Sequence, residues 1–156
     1  MRIRKFKDSD AVPASRMLIK SFAWFHKNNK KSWLWKTLQP SYIISNSKSH
    51  DVSVAVDPHG EVVGYLASNS TMYGVAYISM VGVDPRYQGR GIAQRLLNRA
   101  LSEFRRRKIR KVWLLVTYTN LKALQFYGKN GFFTEGYLRD HTGRGLHEVL
   151  LSKFLS

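Results

Sequence analysis

The sequence predicts an α/β fold: one domain over residues 1–156, built on a mixed central sheet of about seven strands with four helices, in the order β-α-α-β-β-β-α-β-α-β-β. Three observations carry that prediction. Val52, Val54 and Val56 alternate with Ser53 and Ala55, the period of a half-buried strand. Ile92, Leu96, Leu97, Ala100 and Phe104 form one stripe, with Arg95, Asn98, Arg99 and Ser102 opposite, which is the pattern of an amphipathic helix. Strands separated by short turns must pair antiparallel, whereas strands joined through a helix favour parallel pairing, so the sheet is mixed.

Taken in order, residues 1–6 read as a short strand and Asp8-Ser9-Asp10 as an N-cap. The helix that follows tolerates Pro13 in its first turn and carries Ala14, Met17, Leu18, Phe22 and Phe25 at helical spacing. Residues 31–46 read as a second, less regular helix. From Asp51 the period becomes two, and Asp57-Pro58-His59-Gly60 turns the chain into a second strand at residues 61–67. Val75–Val83 is the third strand of this meander, and a long helix over residues 91–107 follows a glycine pair. Val112–Thr117 is a buried strand, and residues 120–130 are a short helix closed by Gly131. Two strands, residues 132–139 and 147–154, flank the turn-rich residues 140–145.

Composition narrows the function classes. A chain of 156 residues buries roughly two-thirds of its unfolded surface in one core. No apolar run approaches bilayer length, so no membrane partner is expected, and the charged N-terminus lacks the apolar stretch of a signal peptide. Cytoplasmic residence is the expectation. There is no cysteine, which excludes a disulfide scaffold, a thiolate zinc site and a cysteine nucleophile. The 26 Lys and Arg against 10 Asp and Glu give a formal net charge of +16. That excess is either a solvated basic surface or a match for a polyanion.

The segment Val81-Gly82-Val83-Asp84-Pro85, then Gly89 and Gly91, then a long helix, is an anion-binding arrangement. Glycine lets the backbone approach phosphate oxygens, and the first helical turn offers unpaired N–H groups at the positive end of the helix dipole. Arg86, Arg90 and Arg95 can add charge-assisted hydrogen bonds. The spacing is not that of a dinucleotide fingerprint, since Gln94 stands where the third glycine belongs, nor of a Walker loop. Taken alone, it could equally be a glycine-rich turn before an amphipathic helix.

A second motif lies downstream: Leu114, Val116, Asn120, Ala123, Phe126, Tyr127, Lys129, Gly131 and Phe132, at fixed spacing. With Gln88, Gly91 and Ala93 of the glycine loop, it resembles the GNAT acetyltransferase superfamily, and in particular members that acetylate protein N-termini. The resemblance covers residues 1–154. It implies acetyl-CoA as co-substrate, no metal, and direct transfer to a primary amine. It also implies that Gln88, Gly89, Arg90, Gly91, Ile92 and Ala93 hold the pyrophosphate, and that backbone groups of Val81 and Val83 hold pantetheine. By the same resemblance Tyr127 protonates the departing thiolate, Asn120 touches the cofactor while also capping its helix, and Tyr77 helps to order a water.

The general base is open. Tyr77-Ile78-Ser79-Met80 carries no carboxylate or histidine, and Leu115 stands where the family's partner histidine would fall. Glu135, Asp140, His141, His147 and Glu148 are candidates, each read by default as a solvated loop or strand-edge residue. A weak base favours an acceptor of low pKa. At pH 7, freeing an α-amine costs about 1 kcal/mol and a lysine about 4.6 kcal/mol. The acceptor is therefore expected to be a peptide N-terminus or small amine, with a ribosome-associated protein as one polyanion-linked option.

Two other readings compete. One is a basic nucleic-acid-binding module, since Lys27, Lys30, Lys31 and Lys36 interleave with Trp33 and Trp35, and Arg105-Arg106-Arg107-Lys108 with Arg110-Lys111 makes a second cluster. Nucleic acid is the less favoured partner, because no nucleic-acid motif accompanies the clusters. The other is a GNAT-fold acetyl-CoA sensor without catalysis, against which the presence of Tyr127 argues. Nothing in the sequence sets the oligomeric state.

Overall fold

The computed structural model describes residues 1–26 and 32–155. Its strands are β1 (Arg2–Lys5), β2 (Asp51–Val56), β3 (Val62–Ser70), β4 (Val75–Val83), β5 (Lys111–Thr117), β6 (Phe133–Gly143) and β7 (Leu146–Phe154). They form one seven-stranded sheet in the order β1-β2-β3-β4-β5-β7-β6. β4 and β5 run parallel, while β1–β2, β2–β3, β5–β7 and β6–β7 pair antiparallel, so the predicted mixed α/β fold holds.

The helices among the described residues are α1 (Ala11–Ser21), α2 (Ala23–His26), α3 (Trp33–Thr37), α4 (Pro40–Ser47), α5 (Ile92–Arg106) and α6 (Leu121–Lys129). None is long and apolar enough to cross a membrane. The four expected helices become six because both early ones break. Phe22 leaves helical geometry at φ −102°, ψ 17°, separating α1 from α2. Pro40 opens α4 and holds Gln39 extended at ψ 146°, as the residue before a proline must be. The expected cap at residues 8–10 also differs. Asp10 makes no cap bond to α1; its carboxylate takes the Lys7 N–H and both terminal nitrogens of Arg4.

The chain divides into two compact units, Met1–Asn69 with Met80–Ser102, and Ser70–Ser79 with Glu103–Ser156. In the first, α1 lays Ala14, Met17 and Leu18 against Val54 and Tyr65 of the sheet, joined by Leu38 and Ile43. Full burial of each such aliphatic side chain contributes about 1.5–3 kcal/mol. α5 seats Ile92 and Leu96 over Gly64, where a Cβ would come 2.8 Å from Ile92 Cγ2. In the stripe of α5, Leu101 is buried in place of the expected Ala100, one position on.

In the second unit, β5 alternates half-buried and buried positions and lies between β7 and the first residues of β4, with Tyr77 beside Trp113. β6 runs through residues 140–143, which had been expected to be a turn; the reversal is confined to Arg144 and Gly145.

At Gly82 β4 passes close to α1: a Cβ there would stand 2.5 Å from Leu18 Cδ2. Gly82→Ala is therefore expected to lower stability by about 1–3 kcal/mol, the usual cost of overpacking. Combined with Leu18→Ala, the two costs should be clearly less than additive, because the second change removes the clashing carbon. Urea denaturation of the four proteins reads the coupling; strict additivity would show that the two residues do not meet.

Candidate functional site

The glycine loop is braced on one side only. Asp84 is buried; its carboxylate caps the turn by accepting the Arg86 N–H at 2.9 Å and grips the Arg86 guanidinium at 3.0 and 3.1 Å. These Arg86 contacts hold the Asp84 carboxyl below its usual range despite burial. Tyr87 donates to Asp57 at 2.8 Å, and Gln88 Nε2 reaches back to the Val83 carbonyl at 3.3 Å. Burial opposes the charge on Asp57, but the bonds from Tyr87, Glu61 and His59 outweigh it and keep the carboxyl below its ordinary value.

Beyond Gln88 the bracing stops. Gly89 and Gly91 take φ of +76° and +75°, a region that other residues enter at a cost, and a Cβ at either would meet nothing within 4 Å. Among the described residues, none accepts a hydrogen bond from the backbone N–H of Gly89, Arg90, Gly91, Ile92 or Ala93. The first intrahelical bond across this start is from Arg95 N–H to Gly91 O at 3.0 Å. Five consecutive free donors at the head of a 15-residue helix are what an anion with several oxygens needs. Of the three arginines expected to add charge, Arg86 is bound to Asp84 and Glu61, while Arg90 is exposed with its guanidinium 5.2 Å from the Tyr87 ring. Arg95 is exposed on α5.

Val81 is half-buried in β4. Val83 is buried, and both its backbone groups have partners: its N–H donates to Ser21 Oγ at 3.3 Å, and its carbonyl accepts from Gln88. A carbonyl keeps a second lone pair, so only the N–H of Val83 is taken outright.

In the other unit, Tyr127 is 7% exposed on α6, edge-on to Phe126 and Phe132 at 5.1 and 5.3 Å. Among the described residues none hydrogen-bonds its hydroxyl, and burial raises the phenol far above its ordinary pKa. Asn120 caps α6 by accepting the Ala123 N–H at 3.2 Å through Oδ1, which leaves its side-chain NH2 without a partner among the described residues. Tyr77 stacks on Trp113 at 4.3 Å.

The five candidate bases separate sharply. Glu135 is held by Lys111 at 2.7 Å and by Ser152 at 2.5 Å, which keep it ionised below its usual pKa. Asp140 accepts the Gly145 N–H within the hairpin turn, and its own N–H donates to His147 Nδ1 at 3.0 Å. His141 is exposed. Glu148 overturns its expectation as a solvated strand-edge residue: it is 7% exposed between Thr117 of β5 and Leu138 of β6. Its Oε2 has no hydrogen-bond partner among the described residues, and His141 Nε2 stands 3.8 Å away. Burial raises the Glu148 pKa, and the facing His141 only partly offsets it. Sequence spacing gave no hint of this, because Glu148 sits at an inward position only once β7 is flanked on both sides. Among the described residues no three His, Asp or Glu side chains converge as metal ligands would.

A model of the acetyltransferase (GNAT) family matches residues 15–132. A Methanocaldococcus jannaschii protein described as an uncharacterized N-acetyltransferase is 29% identical over 147 residues, covering 88% of this chain and 64% of that protein. The N-alpha-acetyltransferase RimI of Mycobacterium tuberculosis is 40% identical over 95 residues, 53% of this chain and 58% of that protein. The chain thus spans less than two thirds of the length of these relatives. The crystal structure of PaiA N-acetyltransferase from Thermoplasma acidophilum in complex with coenzyme A superposes with a TM-score of 0.83 at 18% identity, covering 99% of this chain and 98% of that one. At that identity the likeness is one of fold.

The state of Glu148 has a thermodynamic signature. Its folded pKa lies above the unfolded value, so the native state prefers the protonated carboxyl, and stability is lost as pH rises from about 4.5 through the folded pKa. Glu148→Gln keeps the shape and cannot ionise. Its stability relative to wild type is expected to improve steadily over that rise and then level off, read by thermal melts between pH 4.5 and 8. A difference independent of pH would mean a solvated carboxylate.

Proposed function

The chain belongs to the acetyltransferase (GNAT) family, and from that membership we propose that it moves an acetyl group from acetyl-CoA directly to a primary amine, in a ternary complex. The observation that carries the reading is the run of five unpartnered amides over residues 89–93 at the head of α5. In this proposal the loop, with Gln88 and Arg90 at its edge, receives the pyrophosphate. Backbone groups of Val81, and the second lone pair of the Val83 carbonyl, hold pantetheine, and the NH2 of Asn120 adds a donor.

Tyr127 is the proposed proton donor to the leaving thiolate. A free phenol near pKa 10 and a thiol near 8.5 are mismatched by roughly 2 kcal/mol, and burial of Tyr127 pushes the phenol higher still. The same dehydration would raise a thiol beside it, because low polarity disfavours both anions. The gap therefore need not widen. Glu148 is the proposed base: a carboxyl raised toward neutrality is better matched to an ammonium than a solvated one. Tyr77 retains a supporting role in ordering water.

The acceptor we propose is a peptide N-terminus or an amine of similarly low pKa. Two things support it: the small cost of deprotonating an α-amine, and the name of the N-alpha-acetyltransferase relative. The test is acetyl transfer to a panel of peptides, polyamines and amino sugars, read by free-thiol release. A preference for polyamines or sugars over every peptide would overturn the acceptor, and no release with any amine would overturn the activity.

Acetyl-CoA is expected to bind at micromolar affinity and raise the melting temperature by mass action. Gly91→Glu should abolish that rise, since it places a carboxylate at the anion seat on a backbone that already favours glycine. An unchanged rise in a folded Gly91→Glu protein would move the cofactor elsewhere. Tyr127→Phe and Glu148→Gln should each lower kcat at least tenfold with acetyl-CoA affinity within a few fold, because both groups act only as bonds rearrange. Steady-state kinetics with the best acceptor reads both; wild-type kcat in either variant removes that residue from the mechanism.

A further inference from the structure

We propose that the β3–β4 hairpin tip and the turn between α5 and β5 together form a docking surface for single-stranded nucleic acid. This surface lies within one compact unit and does not depend on the acetyl-transfer reading.

The two segments are pinned together. Arg110 N–H donates to the Gly74 carbonyl at 2.8 Å, and the Arg107 guanidinium bonds Ser70 Oγ. Within the tip, Thr71 N–H donates to Val75 O at 2.8 Å and Gly74 N–H to Thr71 O at 3.3 Å. This closed turn holds Met72 and Tyr73 out at 92% and 76% exposure, the most exposed large hydrophobic side chains among the described residues. A solvent-facing aromatic beside an apolar side chain has no role in a core.

The end of α5 and the neighbouring turn supply three cations that form no ion pair among the described residues. Arg106 pairs with Glu103 at 2.6 Å and Lys111 with Glu135 at 2.7 Å. Arg105, Lys108 and Arg110 are exposed and form no ion pair with any described residue. Lys108 also holds left-handed backbone, φ 56°, where a helix usually ends on glycine or asparagine. Uncompensated cations would repel one another in an isolated protein, but they suit a phosphate backbone. The flat aromatic beside them suits a base, whose face can stack on it whatever its identity. A duplex hides its base faces, so the aromatic favours a single strand.

The experiment is fluorescence anisotropy with a labelled oligouridylate RNA of about 12 nucleotides, a length within the usual range of single-strand sites. Wild type is expected to bind with a slope of log K on log salt of about −2 to −3, as for three to four neutralised phosphates. The triple reversal R105E/K108E/R110E should weaken binding more than tenfold. Reversing Lys5, Lys7 and Lys48, also exposed and equal in charge change, should weaken it less than threefold. Tyr73→Ala should cost about tenfold, the scale of one stacked base, and Tyr73→Phe should retain wild-type binding. Melting temperatures near wild type show that the variants fold, and Arg→Gln and Lys→Gln versions replace any reversal that does not. Equal weakening by the two reversals would overturn the surface in favour of diffuse charge. Unaltered RNA binding by Tyr73→Ala, with heparin bound equally well, would overturn nucleic acid in favour of any polyanion.

Discussion

Two left-handed glycines set where α5 begins, and the first compact unit is arranged around that start. Gly89 and Gly91 let the chain leave the Asp84–Gln88 brace and enter the helix without a capping side chain. The same start fixes the rotation of α5, which brings Ile92 and Leu96 down onto Gly64 and buries Leu97 beside them. A capped start would take up the first amides with side-chain oxygens. Here the helix is secured by its buried stripe instead, so the amides of residues 89–93 need no internal partner. The run of unpartnered amides and the core packing follow from one backbone choice.

The carboxylates show a second constraint. With 26 basic residues against 10 acidic ones, acidic partners are the scarce ones. Asp10 takes Arg4, Asp84 takes Arg86, Glu103 takes Arg106 and Glu135 takes Lys111. The Glu103–Arg106 pair is exposed on both sides and contributes little stability; it serves mainly to fix the guanidinium. What remains is unusual in both directions. Glu148 is a buried acid whose Oε2 has no hydrogen-bonding partner among the described residues, and Lys108 and Arg110 after α5 form no ion pair with any described residue. Arg86 belongs to the same pattern, since its sequence position suggests a phosphate ligand and its geometry makes it a loop brace.

Much of the fold could be read locally. Period-two valines placed β2, the apolar stripe placed α5, and Asn120 with Gly131 bounded α6, because each signal sits within a few residues of the element it governs. The glycine loop and the Tyr127 motif were legible for the same reason. The break between α3 and α4 lies inside the expected single helix over residues 31–46; Pro40 imposes it by holding Gln39 extended. The basic segment at Lys27, Lys30 and Lys31 lies outside the described residues; of that cluster Lys36 and Trp33 are exposed and Trp35 is half-buried.

The sequence by itself determined the succession of the seven strands and the two later helices, the glycine start of α5 and the family, because these rest on local backbone preference and short-range spacing. Tertiary structure alone decided which polar groups have partners. Glu135 and Glu148 look alike in sequence, yet one meets Lys111 across 24 residues and the other has an Oε2 with no hydrogen-bond partner among the described residues. Partnership is a matter of strand register and burial, and burial is what turns an ordinary carboxyl or phenol into a group with an altered proton affinity.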